Sequence, residues 1–198
     1  LAYILPMVAA LYAVFSWYFL LMNRFLRSPK RAALAYALFF LGGGLGLSYF
    51  LDGAKAFPEN FTRIFTAFYE TPTNNVADNV FWVNPIADLL IPQRATLFGW
   101  SILLPCLYLL YRLAFEEETR YSVYLGVLAG GLPLLHAHSF MALGMISACA
   151  VVHQLWVSPK LKSVLRYLPY LGIALLFSLP LGMIVALLRM SKNRIVSG

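Results

Sequence analysis

The chain is built largely from apolar segments of about 20 residues with at most one charged side chain each, the length an α-helix needs to cross the hydrocarbon core of a membrane. Four such segments are separated by polar or basic stretches: 1–22, 32–51, 96–115 and 168–188. The composition agrees, since 12% of the 198 residues are charged, against about 25% in soluble domains. We therefore predict an integral membrane protein with an all-α fold, a polytopic bundle of transmembrane helices.

A fifth apolar region, 121–157, is too long for a single span. One helix of this length would measure about 55 Å, nearly twice the ~30 Å hydrocarbon core. It contains the sequence His136-Ala137-His138-Ser139 near its middle. We predict a hairpin of two spans, roughly 121–135 and 140–157, the first short enough to be re-entrant, with Ser139 as the N-cap of the second helix. The total is then about six spans, whereas an unbroken helix would give five.

The positive charges lie at the ends of these segments, which is the pattern that sets orientation in a membrane. The net charge of +7 is therefore not taken as a sign of nucleic-acid binding, and we predict no nucleic-acid partner. The loops on one side hold nine Lys and Arg residues and those on the other side six, which places the long loop 52–95 on the extracytoplasmic face. Membrane lipid is the expected surrounding.

The loop 52–95 is expected to contain short helices, because long loops without regular structure are uncommon in compact domains. Apolar residues at helical spacing follow Pro58 and predict an amphipathic helix at the membrane interface. A second short helix is predicted to start at Asn84-Pro85, with Asn84 as N-cap, and to end at Ile91. The loop either covers the bundle or forms a roof over a substrate groove.

Four ionisable residues fall at the predicted outer ends of the spans: Asp52, Arg94, His136 and His138. Ionisable groups in a membrane protein are costly and frequently functional. The hairpin would also direct a helix N-terminus near Ser139 toward the outer face, and a helix N-terminus with His and Arg nearby favours a phosphate group. The alternatives are that the two histidines bond loop carbonyls or that they form part of a metal site.

The outer loop with short helices, the broken helix at His136-Ala137-His138-Ser139 and the sequence Pro92-Gln93-Arg94-Ala95 together resemble bacterial members of the GT-C superfamily of integral-membrane glycosyltransferases. The resemblance is architectural and covers roughly 32–157. It implies transfer of a sugar from a polyprenyl-phosphate donor at the extracytoplasmic face of the bacterial plasma membrane, often with a bound divalent metal ion. It also implies that Asp52 is the nearest match to the family's acidic residue, as a base or an acid beside the metal, and Arg94 the nearest match to a phosphate contact, although the acidic pair of the family is absent near Asp52.

The resulting hypothesis is a polyprenyl-phosphate-dependent glycosyltransferase, with Asp52 catalytic and with Arg94, His136, His138 and Ser139 binding the donor phosphate. The lipid-linked sugar donor is the expected partner, and a divalent metal is the one cofactor considered. A transporter or channel, a non-catalytic assembly subunit and a membrane metalloenzyme are the alternatives. A transporter would place its ionisable groups at the middle of the membrane. Because Leu1 already lies in an apolar run, we expect the 198 residues to be one transmembrane domain of a longer chain.

Overall fold

The computed structural model describes residues 4–42 and 84–180, apart from the side chains of 87 and 88. The chain divides into two compact units, one made of 1–21 with 95–198 and the other of 22–94. The described residues are helical and contain no β-strand. The helices are α1 (Ile4–Leu26), α2 (Pro29–Leu41), a π-helix (Pro85–Leu90), α3 (Arg94–Phe115), α4 (Tyr121–Leu135), α5 (Ala137–Val157) and α6 (Leu161–Pro180, beginning with a short helix Leu161–Leu165).

Local sequence explains the tight turn between α1 and α2. Arg27 ends α1 in the left-handed conformation, with φ of 51°, and its N–H donates to the Asn23 carbonyl at 2.9 Å. Ser28 then caps α2 by accepting a hydrogen bond from the backbone of Arg31 at 3.5 Å. Pro29 follows at the first position of α2, where its missing N–H costs nothing. Two residues therefore suffice to end one helix and begin the next.

The carboxyl end of α2 is joined to the π-helix by Asn84. Its buried side-chain amide donates to the Phe40 carbonyl at 2.8 Å and to the Gly42 carbonyl at 3.4 Å. The same side chain accepts from the Ile86 backbone N–H at 2.9 Å, which caps the π-helix. Asn84 thus satisfies groups that two helix ends leave without intrahelical partners. The predicted short helix capped by Asn84 is confirmed, although it is a π-helix that ends at Leu90.

The predicted hairpin in 121–157 is confirmed by two hydrogen bonds to Tyr170 of α6. Its backbone N–H donates to the Ser122 hydroxyl of α4 at 2.8 Å, and its own hydroxyl lies 3.0 Å from the Ser147 hydroxyl of α5. In an unbroken helix Ser122 and Ser147 would lie about 37 Å apart. Because both contact one residue, the chain folds back between them, at the single non-helical residue His136.

The core of the larger unit lies between α3, α4, α5 and α6. Small residues allow close approach there, since a Cβ at Gly130 of α4 would lie 2.6 Å from the Phe177 Cβ of α6. The buried apolar cluster comprises Cys106, Leu109, Leu110, Leu113, Ala114, Leu125, Ala129, Leu132, Leu143, Tyr167, Tyr170 and Ala174.

Four of the described helices, α1, α3, α5 and α6, are long and apolar enough to cross a membrane. The predicted all-α membrane bundle is confirmed at this level. The arm α4 has 15 residues, as expected for the short arm of the hairpin. Within the predicted span 32–51, α2 ends at Leu41, and the backbone of Gly42 is extended. The rest of that span and the predicted helix after Pro58 lie outside the described residues.

Candidate functional site

The residues proposed from the sequence fall into three groups in the structure. Asp52 lies outside the described residues. Arg94 is the first residue of α3 and is exposed. His136, His138 and Ser139 lie together at the turn between α4 and α5. We call this last segment, residues 136–139, the hairpin turn.

The backbone of His136 separates the two helices of the hairpin. With φ of −158° and ψ of 96° it is extended, and its N–H donates to the Leu132 carbonyl at 2.8 Å to close α4. Its carbonyl then accepts from the backbone N–H groups of Ser139 at 3.1 Å and Phe140 at 3.3 Å. His136, not Ser139, therefore occupies the N-cap position of α5, and the sequence prediction for Ser139 was wrong by one turn.

Ser139 has another role, which is to hold the His136 side chain. Its hydroxyl lies 2.8 Å from His136 Nδ1, and the residue is 3% exposed. When the hydroxyl donates to Nδ1, the neutral imidazole carries its proton on Nε2, which becomes a hydrogen-bond donor. Ser139 follows His136 by three residues, and side chains three residues apart at the start of a helix lie on the same face. This spacing brings the hydroxyl next to the imidazole ring.

Gly99 of α3 forms the other side of the His136 environment. A Cβ at this position would lie 2.8 Å from His136 Cγ and 3.0 Å from Nδ1, closer than real Cβ contacts allow. Only glycine therefore lets α3 approach the hairpin turn at this distance. Arg94, which was predicted to bind phosphate, is the first residue of the same helix, five residues before Gly99. The helix α3 therefore contains both Arg94 and the glycine that packs against His136.

The hairpin turn combines three features that favour an anion. The His136 and His138 rings have centroids 5.4 Å apart, and His138 is exposed. The first N–H groups of α5, including those of Ala137 and His138, begin a helix and so lack a preceding helical carbonyl. The positive end of the helix dipole coincides with the two imidazoles. A phosphate or carboxylate fits this chemistry best.

The described residues offer no group of three or more His, Cys, Asp or Glu side chains that could hold a metal ion. His153, the third histidine of the chain, packs near Phe115 with ring centroids 5.7 Å apart, 17 residues after His136. It therefore belongs to the opposite end of α5.

A second polar region lies at the other end of α3, around the acidic run Glu116-Glu117-Glu118. Arg112 pairs with Glu116 and Glu118, and it also donates to the Tyr108 hydroxyl at 3.0 Å. Arg120 pairs with the same Glu118 at 2.8 Å. Glu118, in the loop between α3 and α4, is therefore paired with an arginine before it and an arginine after it in the sequence.

Arg166 of α6 also contacts this acidic region. Its guanidinium donates to Glu117 at 2.9 Å and to the Leu113 carbonyl at 3.4 Å. The ion pair with Arg166 lowers the pKa of the Glu117 carboxyl below its ordinary value of 4.5, and Arg112 does the same for the pKa of Glu118. Both carboxylates are therefore charged over the physiological pH range.

Two parts of these sites were not predicted from the sequence. Gly99 was not singled out, although a glycine inside an apolar helix is a signal of close packing. The basic residues between α5 and α6 were interpreted only as orientation charges. Their proximity to the acidic run, 49 residues away in sequence at Arg166 and Glu117, was not visible from spacing.

The chain matches no protein-family model, no curated protein and no solved structure. The chain is a helical membrane protein, and the part that the structure describes contains four helices long and apolar enough to cross the bilayer. Its hairpin turn carries two adjacent histidines and a buried serine at the start of a transmembrane-length helix.

Proposed function

We propose that this protein is a membrane glycosyltransferase that takes a sugar from a polyprenyl-phosphate donor and transfers it to an acceptor hydroxyl. The observation that carries the proposal is the His136–Ser139 hydrogen bond at the N-terminus of α5. When the serine hydroxyl donates to Nδ1, the Nε2–H group becomes an oriented donor beside a helix end, a suitable place for the donor phosphate. The apolar surface of α5 below it suits the polyprenyl chain, which remains in the bilayer.

The roles follow from the charge that develops during transfer. The acceptor oxygen attacks the anomeric carbon, the bond from that carbon to the phosphate oxygen breaks, and the phosphate leaves with additional negative charge. His136 and His138 stabilise that charge, with Arg94 as a second contact. Asp52 takes the proton of the acceptor hydroxyl as general base.

The distribution of charge favours this function over a transporter. In the described parts of α1, α3, α5 and α6, the Asp, Glu, Lys and Arg residues lie within the first two turns or the last turn. A transporter with a central ion site is expected to place such groups near the middle of the membrane. Chemistry at the end of the bundle agrees better with a lipid-linked donor whose head group lies at the membrane surface.

Binding of a polyprenyl-phosphate-linked sugar to the purified full chain tests the proposal. We expect His136→Gln to weaken donor binding about tenfold, because a charged or oriented contact to phosphate contributes about 1.5 kcal/mol. The matched control is His153→Gln, which changes a histidine near the far end of α5, away from the hairpin turn. Equal affinities for the two variants would reject the phosphate role, and no sugar transfer by the wild-type chain would reject the enzyme.

A further inference from the structure

A groove opens at the end of the larger unit away from the hairpin turn. Its cavity volume is about 480 Å³, and it lies between the α3–α4 loop and the start of α6. We call it the basic groove. It is lined by Glu117, Thr119, Ser158, Lys160, Lys162, Ser163 and Arg166.

The lining of the basic groove has an excess of positive charge. It carries three cationic side chains and one carboxylate. Arg166, whose side chain is 7% exposed, is paired with Glu117. Lys160 and Lys162 are both exposed, so the single carboxylate leaves two positive charges uncompensated in the lining. An anion that enters the groove would restore the balance of charge.

The uncharged polar residues of the groove indicate which anion fits. Three hydroxyl groups, those of Thr119, Ser158 and Ser163, line it together with the cations. A phosphate group has several oxygen acceptors and accepts hydrogen bonds from hydroxyl, ammonium and guanidinium donors alike. The groove therefore provides more donors than a single carboxylate would use.

Apolar side chains beside the groove indicate that the phosphate belongs to a lipid. Leu161, between the two groove lysines in sequence, is 74% exposed. Trp156, near the end of α5, is 89% exposed, and tryptophan is typical of the membrane–water interface. Lysines beside such residues at the ends of membrane helices attract anionic headgroups. A ligand with both a phosphate and apolar chains meets all of these features.

We propose that the basic groove binds the headgroup phosphate of an anionic membrane phospholipid, with Lys160 and Lys162 as the principal cationic contacts. The acyl chains lie along the apolar surface next to Leu161. This site is separate from the hairpin turn and does not depend on the proposed transferase activity. It gives the protein a preference for anionic over zwitterionic lipid at this end of the bundle.

Native mass spectrometry of the detergent-solubilised full chain tests this site. Phosphatidylglycerol and phosphatidylcholine with the same acyl chains are added in separate titrations, and inorganic phosphate is added as a competitor. We expect tighter binding of phosphatidylglycerol, and Lys160→Ala/Lys162→Ala is expected to weaken it about 30-fold, from the attraction of two lysines near an anionic surface. Millimolar inorganic phosphate is expected to leave the bound lipid in place.

The matched control is Lys30→Ala/Arg31→Ala, which removes two exposed positive charges at the start of α2. This variant is expected to bind phosphatidylglycerol as the wild type does, and Lys160→Arg/Lys162→Arg is expected to retain binding because the charge is kept. Equal loss in both alanine variants, or equal affinity for the two lipids, would overturn the proposal. Displacement of the lipid by inorganic phosphate would assign the groove to a free anion instead.

Discussion

Gly99 of α3 lies directly against the imidazole of His136, so that a Cβ at position 99 would be 2.8 Å from His136 Cγ. This contact sets the position of the ring from one side, and the Ser139 hydroxyl sets it from the other. The geometry of the hairpin turn therefore depends on a residue of a different helix. Measurements of protein stability can test this contact without knowledge of the substrate.

We expect Gly99→Ala to destabilise the protein by about 1–3 kcal/mol, because the added methyl group forces α3 and the hairpin turn apart. The free energy of unfolding in detergent measures this effect. Gly144→Ala is the matched control, since a Cβ at Gly144 of α5 meets no atom within 4 Å in the described structure. Alanine there is expected to be neutral or slightly stabilising. If both substitutions had the same effect, the close contact with His136 would be refuted.

We expect Tyr170→Phe to lower stability by about 1 kcal/mol, because its buried hydroxyl is bonded to the Ser147 hydroxyl at 3.0 Å. Loss of the tyrosine hydroxyl leaves the Ser147 hydroxyl without that hydrogen-bond partner. The measurement is the midpoint of thermal unfolding, with Ser147→Ala as the complementary variant. Additive effects of the two substitutions in the double variant would argue against a direct interaction.

The neighbouring Tyr167→Phe is expected to have the opposite sign. Tyr167 is 1% exposed, and its hydroxyl has no hydrogen-bond partner among the described residues. Removing a buried unsatisfied hydroxyl while keeping the ring removes a desolvation cost, so stability is expected to rise by about 1 kcal/mol. The same unfolding experiment reports it. A loss comparable to that of Tyr170→Phe would show that the Tyr167 hydroxyl is satisfied after all.

Stability is expected to fall in acid because of the acidic run between α3 and α4. The ion pair with Arg112 lowers the pKa of Glu118 below 4.5, so its stabilising contribution is fully present above that pH. The contribution is lost as the pH falls through the lowered pKa of the folded state. Unfolding measured from neutral pH down to about pH 3 should show this decline. It should be shallower in Glu118→Gln, and an identical slope in both proteins would contradict the assignment.

We expect Arg27→Gly to stabilise the turn between α1 and α2 by about 0.5–1 kcal/mol. Arg27 has φ of 51°, a left-handed conformation that costs energy for any residue with a Cβ and little for glycine. Arg27→Ala removes the same charge but keeps the Cβ, so it is expected to give no gain. Equal unfolding midpoints for the two variants would show that the backbone conformation is not the source of the effect.

The helical bundle and its hairpin were predictable from the sequence because both follow from lengths along the chain. An apolar run of about 20 residues fits the membrane once, and the region 121–157 is too long to fit as one helix. The position of the break was predicted from the sequence His136-Ala137-His138-Ser139 near the middle of that region. The start of α5 was predicted three residues late because Ser139 is a good capping residue, yet its hydroxyl bonds the His136 ring instead.

The early end of α2 had a different cause. The apolar character of 32–51 continues past Gly42, and hydropathy alone does not register where the backbone becomes extended. Asn84, far away in sequence, bonds the carbonyl groups at that helix end. A helix terminus satisfied by a distant side chain is not visible in local spacing.

The sequence by itself determined that this chain is an all-helical membrane protein whose two neighbouring histidines lie at a reversal of the chain. Those properties depend on hydrophobic length and on residues close together in sequence. Tertiary structure decided that Gly99 supports His136 and that Arg166 pairs with Glu117 beside two lysines. These contacts join residues 37 and 49 positions apart, and their formation depends on how the helices pack.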